Sequence, residues 1–285
     1  MQKKEFLIIP NTHDLKLYED YNFNSFVLPL EGYSIGYNTY FTLDEINNLS
    51  NSHTIYVIMN KLLHMHIYDF KEIYPKFNSN IKFIVEDIGL SNIIDKDRLV
   101  LYENHILSNY KAINYLYDLD IKNVVINNDL TIDEIKEIVK NTKSNIYYHY
   151  IAKNIIMYSR RNLVTNFNTY YNISDDVDSY LLNEKVSKTT LEIKEERDGS
   201  IVRFHKIFCA SKYLNDLDKV YKIIDLTDID SVPTKMILEE INNTKLCDLI
   251  DSDYYFLENP IKYKVGDLKW NMNYYYLLEI LIDLK

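Results

Sequence analysis

The chain has 285 residues, and a single (β/α)8 barrel typically takes about 250, so one barrel with a short extra segment fits the length. Hydrophobic residues make up 47% and charged residues 26%, which is ordinary for a globular protein, and no apolar run reaches the roughly 18 residues that a membrane helix needs. The formal net charge of −10 disfavours binding of nucleic acid, whose phosphates are also negative. Only a local basic patch would allow such binding.

The start of the chain and its cysteines indicate where the protein works. The stretch MQKKEFLIIPNTHD has only a short apolar run before Pro10, which is typical of a first strand and not of a secretory signal, so the cytoplasm is the expected location. Cys209 and Cys247 lie far apart and neither belongs to a CxxC pair. This predicts two reduced, buried thiols and neither a zinc site nor a disulfide framework.

Short apolar runs typical of strands alternate with segments of helical period along most of the chain. The predicted strands are Phe6–Pro10, Phe26–Leu30, Thr54–Met59, Ile81–Val85, Arg98–Tyr102, Asn123–Ile126, Asn145–Tyr148 and Lys222–Leu226. The predicted helices are His13–Tyr21, Leu43–Leu49, Ile67–Phe77, Leu90–Ile94, Ile106–Leu119, Ile132–Asn141, Ile155–Tyr170 and Ser231–Asn242. Thr42 with Glu45, and Thr131 with Glu134, have the spacing of capping boxes at helix starts.

Eight strands with intervening helices predict an α/β fold, a TIM-like (β/α)8 barrel. The alternative, an open doubly wound sheet, normally has a Gly-rich turn after an early strand, and this chain has none. The alternation breaks over residues 172–210, where Asp198-Gly199 between two β-like runs predicts a hairpin with a type I′ turn. We therefore expect a barrel over residues 1–250 with this β-hairpin insertion before its last strand. A C-terminal extension over 251–285 follows, with a strand at Tyr254–Leu257 and a helix at Asn271–Leu284.

Active sites of such barrels lie at the carboxyl ends of the strands, so the polar residues that follow each predicted strand are candidates. The candidates for catalysis are Asn60, Asp87, Glu103 and His149, and Asn104 is a candidate for substrate binding. His149 can serve as an acid–base group or as a hydrogen-bonded structural residue. Glu86 with Asp87, and Glu103, can bind a metal or polarise water, or they can cap helices and face solvent. The sequence does not decide between these readings, and we assign no metal ligands.

The run Tyr158-Ser159-Arg160-Arg161 is the densest polar feature of the chain. Two arginines beside hydroxyl groups can clamp a carboxylate or phosphate, or they can form an exposed charged face of a helix. We take all four residues as candidates for substrate binding. No GxSxG elbow, HExxH helix, phosphate loop or Cys–His signature is present, so nothing supports a conventional protease.

The segment from His149 through MYSRRNLVTNF resembles the signature of the peptidase U32 family, a His-Gly pair followed by a Tyr-Ser-x-Arg-Cys-Leu-Leu-Ser pattern. Other segments resemble the family in the same order, among them LIIPNTHDL, FTLDEI, HTIYVIMNKLLH, IKFIVEDIGL and DGSIVRFHKIFCASKYLNDLDKVYKIID. The resemblance covers most of residues 5–243. It implies a TIM-like barrel and three kinds of activity, which are collagenase-like peptidase action, tRNA 5-hydroxyuridine formation and oxygen-independent ubiquinone hydroxylation. It also implies, for some members, a four-iron cluster on four cysteines and work in pairs.

The chain departs from the family pattern at three positions. Asn162 stands where the family has the Cys, Tyr150 replaces the Gly after the His, and Asn128 replaces an Arg. With only Cys209 and Cys247, one subunit cannot supply four thiolates, so no iron–sulfur cluster is expected, and the sequence identifies no other cofactor.

The length is similar to that of the shorter tRNA-hydroxylation members, and this favours hydroxylation of the wobble uridine, with tRNA as a partner. The alternatives are a peptide hydrolase and a non-catalytic subunit that pairs with an active U32 paralogue. No membrane partner is expected.

Overall fold

Eight parallel strands close into a barrel in the computed structural model, which describes residues 6–103, 107–174, 177–184 and 189–258. The barrel strands are β1 (Phe6–Ile9), β2 (Ser25–Pro29), β3 (Thr54–Met59), β4 (Lys82–Val85), β5 (Leu99–Tyr102), β6 (Asn123–Val125), β7 (Asn145–Ala152) and, after the insertion, Tyr221–Asp225. Neighbours in this order pair in parallel, and the last strand pairs with both β7 and β1. The predicted barrel is confirmed, with all eight strands close to their expected positions.

Helices connect the strands on the outside of the barrel. They are α1 (Lys16–Glu19), α2 (Leu43–Leu49), α3 (Ile67–Ile73), α4 (Tyr110–Asp118) and α5 (Ile132–Asn141). Both predicted capping boxes are present, since Thr42 accepts from the N–H of Glu45 and Thr131 from that of Glu134. The predicted helix at Leu90–Ile94 is a short 3-10 segment, Ile88–Asn92.

Two apolar layers hold the barrel together. An inner cluster fills the barrel with side chains such as Leu7, Val27 and Tyr147, and a larger outer cluster packs the strands against the helices. Because successive side chains of a strand point to opposite faces, each strand contributes to both layers. Within β7, Tyr147 belongs to the inner cluster and Tyr148 to the outer one.

The insertion begins directly after β7 and is larger than the predicted hairpin. Its elements are β8 (Ile155–Ser159), α6 (Leu163–Tyr171), β9 (Ser179–Asn183), β10 (Thr190–Glu196) and β11 (Gly199–Phe204). The four strands form an antiparallel sheet in the order β8-β11-β10-β9. The prediction of one helix over Ile155–Tyr170 is wrong for its first third, because Met157 and Tyr158 pair with β11, a partner distant in sequence.

The predicted hairpin at Asp198-Gly199 is present, since Glu196 pairs with Gly199 across a turn of two residues. The turn is not type I′, because neither Arg197 nor Asp198 has a positive φ and only Gly199 does, at +141°. A Cβ on Gly199 would lie 2.2 Å from the carbonyl oxygen of Ser159, so the close approach of β8 requires glycine here.

The chain returns to the barrel through β12 (Phe208–Cys209) and β13 (Tyr221–Asp225), followed by α7 (Ser231–Glu240) and α8 (Leu246–Leu249). The predicted strand at Tyr254–Leu257 is instead a 3-10 turn over Tyr255–Leu257. The predicted helix at Asn271–Leu284 lies outside the described residues. No helix in the described part of the chain is long and apolar enough to cross a membrane.

Cys209 of β12 and Cys247 of α8 form a disulfide, with Cα atoms 5.6 Å apart. The expectation of two separate reduced thiols is therefore wrong, because the fold brings together two residues that are 38 positions apart. Both residues are buried, and the pair ties the carboxyl-terminal helix to the strand that leaves the insertion.

Replacing Cys247 with Ser is expected to lower the free energy of unfolding by about 3 kcal/mol, because closing a loop of this length restricts the unfolded chain. Thermal melts with and without reductant check this. Reductant should destabilise the wild type and leave the variant unchanged. Two thiols that react with a thiol reagent in denaturant, before any reduction, would contradict the pairing.

Candidate functional site

The loop between β2 and α2 lies across the carboxyl-terminal mouth of the barrel. Asn60, at the end of β3, holds this loop with both halves of its amide, which exchange hydrogen bonds of 2.9 Å with the N–H and the carbonyl of Ile35. Arg203 of β11 donates to the carbonyl of Gly36 at 2.7 Å. A Cβ at Gly36, where φ is +85°, would come within 2.9 Å of side chains on β8 and β11, so glycine permits this contact with the insertion.

Ionisable side chains from several strands gather beneath this loop. We call this set the mouth cluster: Tyr37, Glu86, Tyr102, Glu103, His149 and Asp225. Tyr37 belongs to the apolar layer inside the barrel, and burial together with the charges of Asp225 and Glu86 raises its pKa well above 10. The fold thus collects, at the place where such barrels carry active sites, carboxylic acids from three different strand ends.

Glu86 is the residue of the mouth cluster whose proton affinity suits acid–base work. Burial and, as the smaller cause, the nearby charge of Glu103 together raise the pKa of Glu86 to about 8. Near neutral pH the Glu86 carboxyl group is therefore largely protonated and can donate a proton. Burial also raises the pKa of Asp225 above its ordinary value, against hydrogen bonds from Thr227 and the charge of Arg203.

His149 lies inside β7 and not after it, because the strand continues to Ala152. Its ring is buried and contacts the ring of Tyr102, with centroids 5.2 Å apart. Burial lowers the pKa of His149 to about 4, so the imidazole is neutral near pH 7. Neither ring nitrogen has a hydrogen-bond partner among the described residues, which leaves both available to a ligand that reaches the barrel interior.

Asp87 has a structural position next to Glu86. One of its carboxylate oxygens accepts from the N–H of Gly89 at 2.9 Å and the other from the N–H of Leu63 at 3.1 Å. Asp87 therefore caps the 3-10 segment and anchors the chain that follows β3, whereas its neighbour Glu86 joins the mouth cluster. Sequence position alone does not distinguish these two carboxylates. Asn104, the other polar candidate after β5, lies outside the described residues.

A second feature, the rim pocket, lies at the edge of the mouth and encloses about 360 Å3. Residues from the β2 and β3 ends, from β8 and from the β10–β11 turn line it: Gly32, Tyr33, Lys61, Leu62, Leu63, His66, Tyr158, Arg160, Arg197 and Asp198. Lys61 is buried and pairs with Asp198 at 2.6 Å. Arg160 and Arg197 form no ion pair within the described ranges. Three cations against one anion make the pocket a positive patch on an acidic protein.

The other members of the Tyr158–Arg161 run have different surroundings. The Tyr158 hydroxyl donates to the carbonyl of Asp198 at 3.3 Å, and the Ser159 hydroxyl accepts from the N–H of Arg161 at 3.2 Å. Arg161 is exposed and does not line the rim pocket. The structure thus separates the two neighbouring arginines, which the sequence treats alike.

Sequence reasoning missed several residues of the two features and of the loop that covers the mouth, namely Tyr37, Lys61, Arg197, Asp225 and the loop's partner Arg203. A usable signal existed for one of them. Arg203 interrupts the apolar run Ile201–Phe204, and a charge within a strand core implies a buried partner. Lys61 follows the candidate Asn60 directly, but the hairpin that faces it is 137 residues away.

The described residues offer no group of three or more His, Cys, Asp or Glu side chains placed to hold a metal ion. The cysteines also do not fit the four-iron cluster of some U32 proteins, because the chain has two and they are bonded to each other.

The closed parallel barrel, with ionisable side chains at its carboxyl-terminal mouth, makes the chain a (β/α)8-barrel protein. The model of peptidase family U32 matches residues 20–232, which is well over half of the chain. The chain therefore belongs to the peptidase U32 family.

Two solved structures resemble the chain distantly. The U32 peptidase Mk0906 aligns with a TM-score of 0.38 and 12% identity, over 61% of this chain and 80% of its own. The spore cortex-lytic enzyme SleL of Bacillus megaterium QM B1551 aligns with a TM-score of 0.33 and 11% identity, over 79% of this chain and 70% of its own. No curated protein matches the chain.

Proposed function

We propose that the protein takes part in 5-hydroxylation of the wobble uridine of tRNA, with the rim pocket holding a backbone phosphate and the mouth cluster receiving the base. The observation that carries the proposal is the rim pocket itself. An acidic chain with a net charge of −10 places Lys61, Arg160 and Arg197 around one cavity beside the barrel mouth. Arginine forks match phosphate geometry, and a positive patch is what an acidic protein requires to bind RNA.

The number of cations limits how the tRNA is held. Lys61 is already paired with Asp198, so Arg160 and Arg197 are the two lining cations that can neutralise phosphates, and each contact to single-stranded RNA contributes roughly −0.7 to the slope of log affinity against log salt. We therefore expect a shallow slope of about −1.4. Such a pocket positions a short stretch of the anticodon loop and leaves recognition of the base to the barrel mouth.

The chemistry replaces C5–H of the uracil ring with C5–OH, which removes two electrons from the ring. A hydroxyl-donating co-substrate must accept those two electrons, so the oxygen comes from that donor and not from this chain. Protonated Glu86 can donate to a ring carbonyl, and neutral His149 can accept a proton. The tyrosines that surround them exclude water from the reacting base.

Arg160→Ala is expected to weaken tRNA binding about tenfold without unfolding the protein, because Arg160 is exposed and lines the rim pocket. Arg161→Ala is the matched control, since it removes the same charge one residue away from outside the pocket. Affinity measured by fluorescence anisotropy with labelled tRNA should separate the two. Equal losses in both variants would mean general electrostatics, and unfolding of Arg160→Ala would mean a structural arginine.

The experiment that tests the function itself is nucleoside mass spectrometry of tRNA from a host without U32 proteins of its own. 5-Hydroxyuridine should appear when this gene is expressed and disappear with Glu86→Gln or Arg160→Ala. If a folded, soluble protein yields none, the hydroxylation proposal fails. The remaining alternative is then a non-catalytic subunit that pairs with an active U32 paralogue.

Hydrolysis of peptides is the second candidate, and the closeness of Glu86 to Glu103 favours it. Neighbouring carboxylic acids of unequal proton affinity can activate water for acid-catalysed hydrolysis, and the charge of Glu103 adds to burial in raising the pKa of Glu86. Cleavage of gelatin-derived peptides, abolished by Glu86→Gln and by Glu103→Gln, would support it. Absence of cleavage from pH 5 to 9 would remove this candidate.

A further inference from the structure

A separate pocket of about 310 Å3 lies at the carboxyl ends of β5, β6 and β7, where the insertion meets the carboxyl-terminal 3-10 turn. Aromatic rings form much of its wall, including Tyr102, Phe204, Phe208 and Tyr255. Phe204 and Tyr255 are stacked with centroids 4.3 Å apart, and the ring of Phe208 lies at 20° to that of Tyr255. None of these rings belongs to the rim pocket. Because Phe204 and Tyr255 already stack on each other, a flat ring would stack on the outer face of this pair.

Two amide oxygens in this pocket have no hydrogen-bond partner. Asn154, which joins β7 to β8, is only 7% exposed, and its Oδ1 is buried and unpaired. Asn128, after β6, also has a buried, unpaired Oδ1 and lines the same pocket. A buried acceptor without a partner is costly, so a ligand that supplies N–H donors would be favoured here.

We propose that this aromatic pocket binds a guanine base. Guanine is flat and presents N1–H and the N2 amino group side by side on one edge, which matches a lining of oxygen acceptors. Uracil has a single ring N–H and leaves one of the two oxygens unpaired. The two N–H bonds of the adenine amino group point apart, and each lies beside a ring nitrogen acceptor that would face an oxygen of the lining. The base can come from a free nucleoside or from an RNA strand, and the recognised edge is the same in both.

The pocket shares no residue with the rim pocket and only Tyr102 with the mouth cluster, so guanine binding does not require the hydroxylation proposal to hold. The aromatic pocket nevertheless lies close to the rim pocket, because both are lined by residues of β8. Ile155 and Ile156 at the start of β8 line the aromatic pocket, while Tyr158 near the end of the same strand lines the rim pocket. At about 3.3 Å per residue the two pockets lie within roughly 10 Å of each other along β8.

Calorimetric titration of the full chain with guanosine, adenosine and uridine tests the proposal. These probes carry no phosphate, so the rim pocket does not contribute. Guanosine is expected to bind saturably and about tenfold or more tightly than adenosine or uridine, because each lost hydrogen bond to a buried acceptor weakens binding by about that factor. No saturable binding of guanosine, or equal affinities for the three nucleosides, overturns the proposal.

Variants of the lining residues test whether guanosine binds in this aromatic pocket. Asn154→Leu and Asn128→Leu should each reduce guanosine affinity about tenfold, while Arg160→Ala should leave it unchanged. If one of the two asparagine variants fails to fold, the other is still expected to reduce guanosine affinity about tenfold. Loss of binding in Arg160→Ala with none in a folded asparagine variant would place guanosine elsewhere. A trinucleotide with a central guanine distinguishes the source, since tighter binding than guanosine indicates RNA and equal binding indicates a free nucleoside.

Discussion

Replacing Glu86 with Gln should stabilise the protein above neutral pH and change little at pH 5. The folded pKa of Glu86, about 8, lies above its unfolded value near 4.3. The folded state therefore binds more protons between these values, and the free energy of unfolding falls as pH rises through this window. At pH 8.5 the ionised carboxylate costs roughly 2–4 kcal/mol, and Gln removes that cost.

Thermal unfolding from pH 5 to 9 measures the effect. We expect a higher melting temperature for Glu86→Gln at pH 8.5, by roughly 5–10 °C, and a flatter pH profile than that of the wild type. Glu72→Gln, at an exposed position on α3, is the matched control and should follow the wild type. Parallel profiles for Glu86→Gln and the wild type would show that Glu86 does not carry this proton.

His149 gives the opposite dependence at lower pH. Its folded pKa of about 4 lies below its unfolded value near 6.5, so the folded state binds fewer protons in that window. The stability that the neutral imidazole contributes is therefore lost as pH falls from about 6.5 to 4. The two residues oppose each other between about pH 4.3 and 6.5, and above that range Glu86 acts alone. A wild-type profile that declines mainly above pH 6.5 is the expected combination.

Replacing Arg203 with Met is expected to destabilise the protein by about 3 kcal/mol and to release the insertion from the barrel mouth. Arg203 is 1% exposed, forms an ion pair of 2.7 Å with Asp228 and donates to the carbonyl of Gly36. Removing one partner of a buried ion pair leaves the other without compensation, which typically costs about 3–5 kcal/mol. Asp228 retains Asn38, whose amide nitrogen donates to it at 2.8 Å, and this moderates the loss.

Calorimetry and limited proteolysis measure the two parts of this prediction. The melting temperature should fall by roughly 5–10 °C, and cleavage should appear first in the loop between β2 and α2. Lys206→Met removes one partner of an exposed ion pair with Asp251 and should shift melting by no more than about 2 °C. A small shift for Arg203→Met, similar to that of Lys206→Met, would mean that apolar packing alone holds the mouth closed.

The barrel could be predicted from the sequence because each of its strands and helices is specified by residues that lie close together along the chain. Each strand is a short apolar run, and the threonines at positions 42 and 131 fix helix starts with glutamates three residues later. The helix wrongly predicted over Ile155–Tyr170 shows where this fails. Ile155–Tyr158 is apolar enough for either structure, and its pairing with β11, more than 40 residues away, decides for a strand.

For the candidate site too, some features could be predicted from the sequence and others only from the tertiary structure. Polar residues that follow the predicted strands identified Glu86, Glu103 and His149 as candidates, because parallel strands present their carboxyl ends together. Arg160 was a candidate for a different reason, namely the dense polar run Tyr158–Arg161. The separation of Glu86 from Asp87 depends on which side chain points inward, and Asp87 is committed to the N–H groups of Leu63 and Gly89.

What the sequence determined by itself is the (β/α)8 architecture, the family resemblance and the shortage of cysteines for a cluster. The tertiary structure decided the rest: the disulfide between Cys209 and Cys247, the rim pocket around Lys61, and the burial that shifts the pKa values of Glu86 and His149. The physical reason is the distance along the chain over which each effect acts. Periodicity and capping act over a few residues, whereas burial and charge proximity arise only when distant segments pack together.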